Sequence, residues 1–100
     1  MIIYNVTAQV DEAIANQWLS WLREEHIPDV MASGCFVKYQ LVKILGTEPG
    51  SVTYAVQYYS DNQHQLDHYL EEHAMGLRKK ALDKWGDRFI AFRTIMELVD

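Results

Sequence analysis

His64 and His68 stand four residues apart, with Asp67 and Glu71 beside them. On a helix that spacing puts two imidazoles on one face, where a metal ion could take both. A clear third ligand and the HExxH pattern are missing, and the pair lies opposite the apolar stripe of its helix. The expectation is therefore two solvated histidines and no metal. His73 differs, because it falls on that stripe with Leu66, Tyr69, Leu70 and Leu77. It is either a core histidine with one hydrogen-bond partner or a pocket acid/base, since imidazole titrates near neutrality. Arg93 and Glu97 share one face of the last strand. The guanidinium could grip an anion through its planar donors, or pair with Glu97 or another carboxylate. Asn5 and Tyr59 complete the candidate ligand-binding set of Asn5, Tyr59, His73 and Arg93; no catalytic residue is assigned. Cys35 opens a strand without a histidine nearby in sequence, so it makes a weak nucleophile candidate.

These groups must be positioned by alternating elements. Strands are expected at Ile2–Val10, Cys35–Leu45, Val52–Ser60 and Phe89–Val99, with helical stretches near Glu12–Glu25 and Asn62–Trp85. That order, β-α-β-β-α-β, defines the α+β ferredoxin-like class: a four-stranded antiparallel sheet with helices on one face. Ile2, Tyr4, Val6, Ala8 and Val10 alternate with Asn5, Thr7 and Gln9, the period of a strand with one buried face. Asp11 suits a helix N-cap, and Ile14, Trp18, Trp21 and Leu22 form the stripe that follows. Pro28 ends this helix or starts a short extra turn through Met31. Lys38 and Lys43 mark the second strand as an edge, and Gly46 to Gly50 make its hairpin. Ser60 and Gln63 fit a capping box for the second helix, which Gly76 could kink and Gly86 could cap. The three tryptophans read as packing mass, and Arg78, Lys79, Lys80 and Lys84 as a solvated basic cluster.

If the apolar alternates meet the helices, Ile90, Phe92, Met96 and Leu98 of the last strand lie inside. The other face then shows Asn5, Thr7, Gln9, Gln57, Tyr59, Arg93 and Glu97, with Lys38 and Gln40 and the apolar Phe89, Ala91 and Ile95. A solvated face is ordinary for an antiparallel sheet. The apolar members favour instead a surface shared by two copies stacked as a dimeric α/β barrel, since closed two-fold dimers dominate small oligomers.

Composition narrows the class. One hundred residues, 49% of them hydrophobic, make a single ferredoxin-like domain over 1–100 with its own modest core. A net charge of −5 argues against nucleic acid as partner. No apolar run approaches the roughly 18 residues of a membrane span, and the first residues read as strand rather than leader. A single cysteine suits a reducing, cytoplasmic setting.

The stretches Met1-Ile2-Ile3-Tyr4-Asn5-Val6-Thr7, Gly34-Cys35-Phe36, Val52–Tyr58, Gly86-Asp87-Arg88-Phe89 and Ala91-Phe92-Arg93-Thr94 resemble a family of small bacterial proteins known only as a domain of unknown function. The resemblance spans nearly the whole chain and implies no activity. In element order alone the chain resembles the dimeric α/β-barrel superfamily, which includes cofactor-free monooxygenases, isomerases and haem-degrading enzymes. The haem-degrading members pair a first-strand asparagine with a tryptophan and a histidine on the second helix. Asn5 and Tyr69 could match the first two, but Lys79 or Lys80 stands where the histidine is needed. No cofactor is expected. Two functions follow: a homodimeric binding or interaction module without catalytic machinery, or a cofactor-independent enzyme acting on a small molecule at the open face.

Overall fold

The computed structural model describes all residues, Met1–Asp100. Four strands, β1 (Ile2–Asp11), β2 (Lys38–Ile44), β3 (Ser51–Ser60) and β4 (Phe89–Glu97), form one antiparallel sheet in the order β2-β3-β1-β4. The helical layer comprises α1 (Ala15–Trp21), α2 (Ile27–Ala32), α3 (Gln63–Glu72) and α4 (Ala74–Trp85). This is the ferredoxin-like α+β arrangement expected from the element order. No helix is long and apolar enough to cross a membrane.

Local chemistry explains most boundaries. The Asp11 carboxylate accepts from the Ala13 amide at 2.9 Å and starts a short 3-10 turn ahead of α1. Between α1 and α2 the chain does not stop: Leu22–His26 forms a π turn, and Pro28 sits at the start of α2, where its missing N–H costs nothing. The cap of α3 differs from the expected capping box. Asn62 accepts from the Gln65 amide at 2.9 Å, and the Ser60 hydroxyl donates to the Asn62 carbonyl at 3.1 Å. The second helical stretch divides at His73 (φ −125°), not at Gly76. Gly86 ends α4 with φ +60°, a conformation that favours glycine.

Pairing fixes the faces. Tyr4, Val6, Ala8 and Val10 of β1 and Tyr54, Val56 and Tyr58 of β3 turn towards the helices. Across the β1–β4 ladder, Val6 opposes Arg93, Ala8 opposes Ala91 and Val10 opposes Phe89. Arg93, Ala91, Phe89, Ile95 and Glu97 therefore lie on the helix side, the reverse of the sequence expectation. Ile90, Phe92, Thr94 and Met96 share the bare face with Ile3, Asn5, Thr7 and Gln9. Ile90 is 65% and Phe92 57% exposed, so β4 presents its more apolar alternates outward. Hydrophobicity alone misassigned this strand because both of its faces carry large apolar residues.

The core has two aromatic clusters. Phe36 packs against Tyr58 and Tyr69 with centroids 5.3 and 4.9 Å away, and Tyr4 lies 5.7 Å from Tyr69. Trp18 stacks on Tyr54 at 5.9 Å and meets Trp21 and Phe89 at 6.0 and 5.8 Å. Leu66 anchors α3 with no exposure. Leu66→Ala should cost about 2–5 kcal/mol in urea unfolding by removing a fully buried side chain. Leu82→Ala, at a half-exposed position, should cost under about 0.5 kcal/mol.

Candidate functional site

Between the sheet and the helices lies a cavity of about 310 Å³ lined by 21 residues, 18 of them hydrophobic. Its walls join the two clusters: Tyr4, Tyr58 and Tyr69 on one side, Trp18, Trp21, Tyr54 and Phe89 on the other. The gap has a steric origin. α4 presents the small Ala74 and Ala81 to the sheet, and the strands below offer Ala8 and Ala91. The neighbouring large rings keep the layers apart, and four alanines cannot fill the space between them.

The three non-hydrophobic lining residues are His26, Arg78 and Arg93, and no carboxylate lines the cavity. Arg78 and Arg93 are exposed residues, so their charge belongs to the opening rather than the interior. Arg78 Nη2 donates to the Tyr4 hydroxyl at 3.0 Å. The ion pairs of the chain are Lys79–Asp83, Lys80–Asp29 and Arg88–Asp11, so neither cavity arginine is neutralised. Burial pushes the Tyr69 phenol up, and the charges of Arg78 and Arg93 oppose that rise.

His26 stands at the π turn, its ring stacked on Trp21 at 4.9 Å. Burial pulls its imidazole down to about 4; Asp29 opposes the drop, and Arg93 and Lys80 add to it. Glu24 and Glu25 share with His26 a second, outer pocket on the far side of Trp21 and Leu77. At neutral pH the imidazole is uncharged and can accept a hydrogen bond.

The expected site residues do not converge. Arg93 enters the cavity because of the reversed β4 facing. Asn5 and Tyr59 stay on the bare face, where Asn5 donates to Thr7 Oγ1 at 3.0 Å and Tyr59 to Gln57 Oε1 at 3.4 Å. Lys38 lies 4.6 Å above the Tyr59 ring on the same face. His73 is half-buried at the α3–α4 break, stacked on Tyr69 at 6.1 Å and outside the cavity. His68 and Cys35 join it, with one ligand atom from each within 4.8 Å of the others. Tetrahedral zinc would draw such atoms to about 3.5 Å, so binding would require the two rings to close on the thiol. Cys35 thus has histidine neighbours that its sequence context did not show.

His26 and Arg78 were not among the expected site residues, although a signal existed for each. His26 continues the stripe Trp18–Leu22 by one more step of four. Arg78 lies four after the buried Ala74. Both needed the helical stripe to be followed past its last hydrophobic member.

The depressed His26 gives a pH dependence with a definite sign. The unfolded chain takes up a proton below about pH 6.5, the folded chain only near pH 4. Stability is therefore complete above pH 6.5 and falls as pH drops from 6.5 towards 4. Urea unfolding should show a loss of about 1–2 kcal/mol between pH 7 and pH 5. His26→Gln should flatten that dependence, leaving only carboxylate effects at lower pH.

Three solved structures match the fold over nearly their whole length. A dimeric ferredoxin-like protein from an uncultured marine organism matches with TM-score 0.75 and 8% identity, over 99% of this chain and 95% of its own. SnoaB, a cofactor-independent oxygenase of Streptomyces nogalater, gives TM-score 0.71 and 9% identity, over 99% and 94%. An EthD family protein of Bacillus halodurans gives 0.69 and 14%, over 99% and 100%. At these identities the likeness is one of fold. No curated protein is significantly similar in sequence. A family model described as domain of unknown function DUF4286 matches residues 1–99, and the chain belongs to that family.

Proposed function

We propose that this protein is a homodimeric module that binds a small, largely apolar molecule in the cavity between its sheet and its helices. The cavity itself carries the reading. Its volume of about 310 Å³ lies at the lower end for small-molecule pockets. A nearly all-apolar lining with a few polar groups is the usual anatomy of such sites. Arg93 is the one expected ligand-binding residue retained in it; Asn5 and Tyr59 belong to the proposed dimer face, and His73 to neither.

The bare sheet face is assigned to a second copy. Ile90, Phe92 and Met96 on β4 and Val42 and Ile44 on β2 give its two edges apolar side chains, with Ile3, Asn5, Thr7, Gln57 and Tyr59 on the central strands between them. Strands up to 10 residues long, spaced about 4.8 Å apart, make a face of roughly 600 Å² in projection. Side-chain relief brings this near the roughly 800 Å² per partner of a standard interface. Similar folds in the dimeric ferredoxin-like class support the same assignment. The acidic balance disfavours nucleic acid as partner, and the unpaired Cys35 suits the cytoplasm.

A second reading, cofactor-independent chemistry on the bound molecule, is favoured by one observation. His26 is an unprotonated imidazole in the cavity wall, close to the charge of Arg93. The two readings part on His26→Gln: a binding module keeps its affinity to within a few-fold, whereas proton-transfer chemistry is lost.

Sedimentation equilibrium at micromolar concentration should show a dimer. Phe92→Glu should weaken it at least about hundredfold, by burying a charge without a partner. A strictly monomeric wild type would remove the dimer from this reading. Ala81→Phe, which fills the cavity from α4, should lower the affinity for octanol at least about tenfold, followed by fluorescence of Trp18 and Trp21.

A further inference from the structure

We infer that the ligand is an amphiphilic monoanion, a medium-length or aromatic carboxylate, with its apolar body in the cavity and its anionic head between Arg78 and Arg93. This rests on the cavity being the binding site and adds the chemistry of what it takes.

The charge distribution carries the inference. The chain carries a net charge of −5, yet the cavity opening holds two guanidiniums and no carboxylate. Three of the nine lysines and arginines, Lys79, Lys80 and Arg88, pair with an acid. Arg78 and Arg93 find none; the one hydrogen bond of Arg78 goes to a neutral phenol. They come from separate elements, α4 and β4, and both line the same cavity. A guanidinium offers several donors in one plane and suits a carboxylate better than a neutral hydroxyl does.

The remaining polar groups favour a single small anion. The Tyr4 hydroxyl already accepts from Arg78, which leaves its own proton available for a head group oxygen. His26 is uncharged at neutral pH and adds no further positive charge. Below the opening the walls are Tyr58, Trp18, Val56, Tyr54 and Ala8, which offer contact for a chain or ring. A nucleotide or sugar phosphate would leave its many hydroxyls unpaired against these walls. An inorganic anion would leave the cavity unfilled.

The test compares octanoate with octanol, equal in chain length and different in head group. Binding to the full-length protein is followed by tryptophan fluorescence at pH 7. Wild type should bind octanoate at least about tenfold more tightly than octanol. In Arg78→Gln/Arg93→Gln the two affinities should fall within about twofold of each other, with an unchanged near-ultraviolet circular dichroism spectrum as the sign that the aromatic core is intact. Equal affinities in wild type, or a preference for octanoate that survives in the double variant, would overturn the inference and leave the cavity reading standing. Failure of both probes to bind wild type would overturn the cavity reading itself, and the inference with it.

Discussion

The hydrogen-bonded register of β4 on β1 is the constraint on which the site depends. Because strand side chains alternate with period two, a slip of one residue moves every side chain to the opposite face. With Val6 opposite Arg93, the guanidinium joins the cavity and Ile90, Phe92 and Met96 face outward. In the slipped register Arg93 would leave the cavity for the bare face and Phe92 would turn towards the helices in its place. Ligand site and apolar outer face are therefore one decision about pairing, taken once along a nine-residue strand.

The cavity depends equally on an unequal distribution of side-chain size. Tyr4, Tyr54, Tyr58 and Tyr69, together with Trp18 and Trp21, act as pillars between the layers. Ala8, Ala74, Ala81 and Ala91 occupy the gaps between them. A core of uniform leucines would close such a space, since interiors pack to nearly crystalline density. The π turn at Leu22–His26 holds His26 in the cavity wall beside Leu22 and leads directly into α2. Such turns recur at functional positions because they move a side chain without ending the helix.

The electrostatic pattern is local rather than global. A net charge of −5 describes the outer surface, where acidic groups outnumber basic ones. The cavity opening is the exception, with two unneutralised arginines near a histidine that burial keeps neutral. Whole-chain charge says nothing about a single carboxylate meeting a cationic opening.

The sequence by itself determined the element order, the class of fold, the amphipathic faces of β1 and β3, the position of β2 at an edge and the glycine at the end of α4. Each follows from neighbours in the chain: alternation, stripes of three and four, a cap, a positive φ. The tertiary structure decided the facing of β4, the approach of Cys35 to His68 and His73, and the gathering of His26, Arg78 and Arg93 around one space. The helix break also belongs here, since Gly76 had the better local propensity and His73 took the break. The physical reason is common to these cases. Where both alternates of a strand are apolar, local hydrophobicity is degenerate, and only cross-strand pairing together with the volume left by distant side chains breaks the tie.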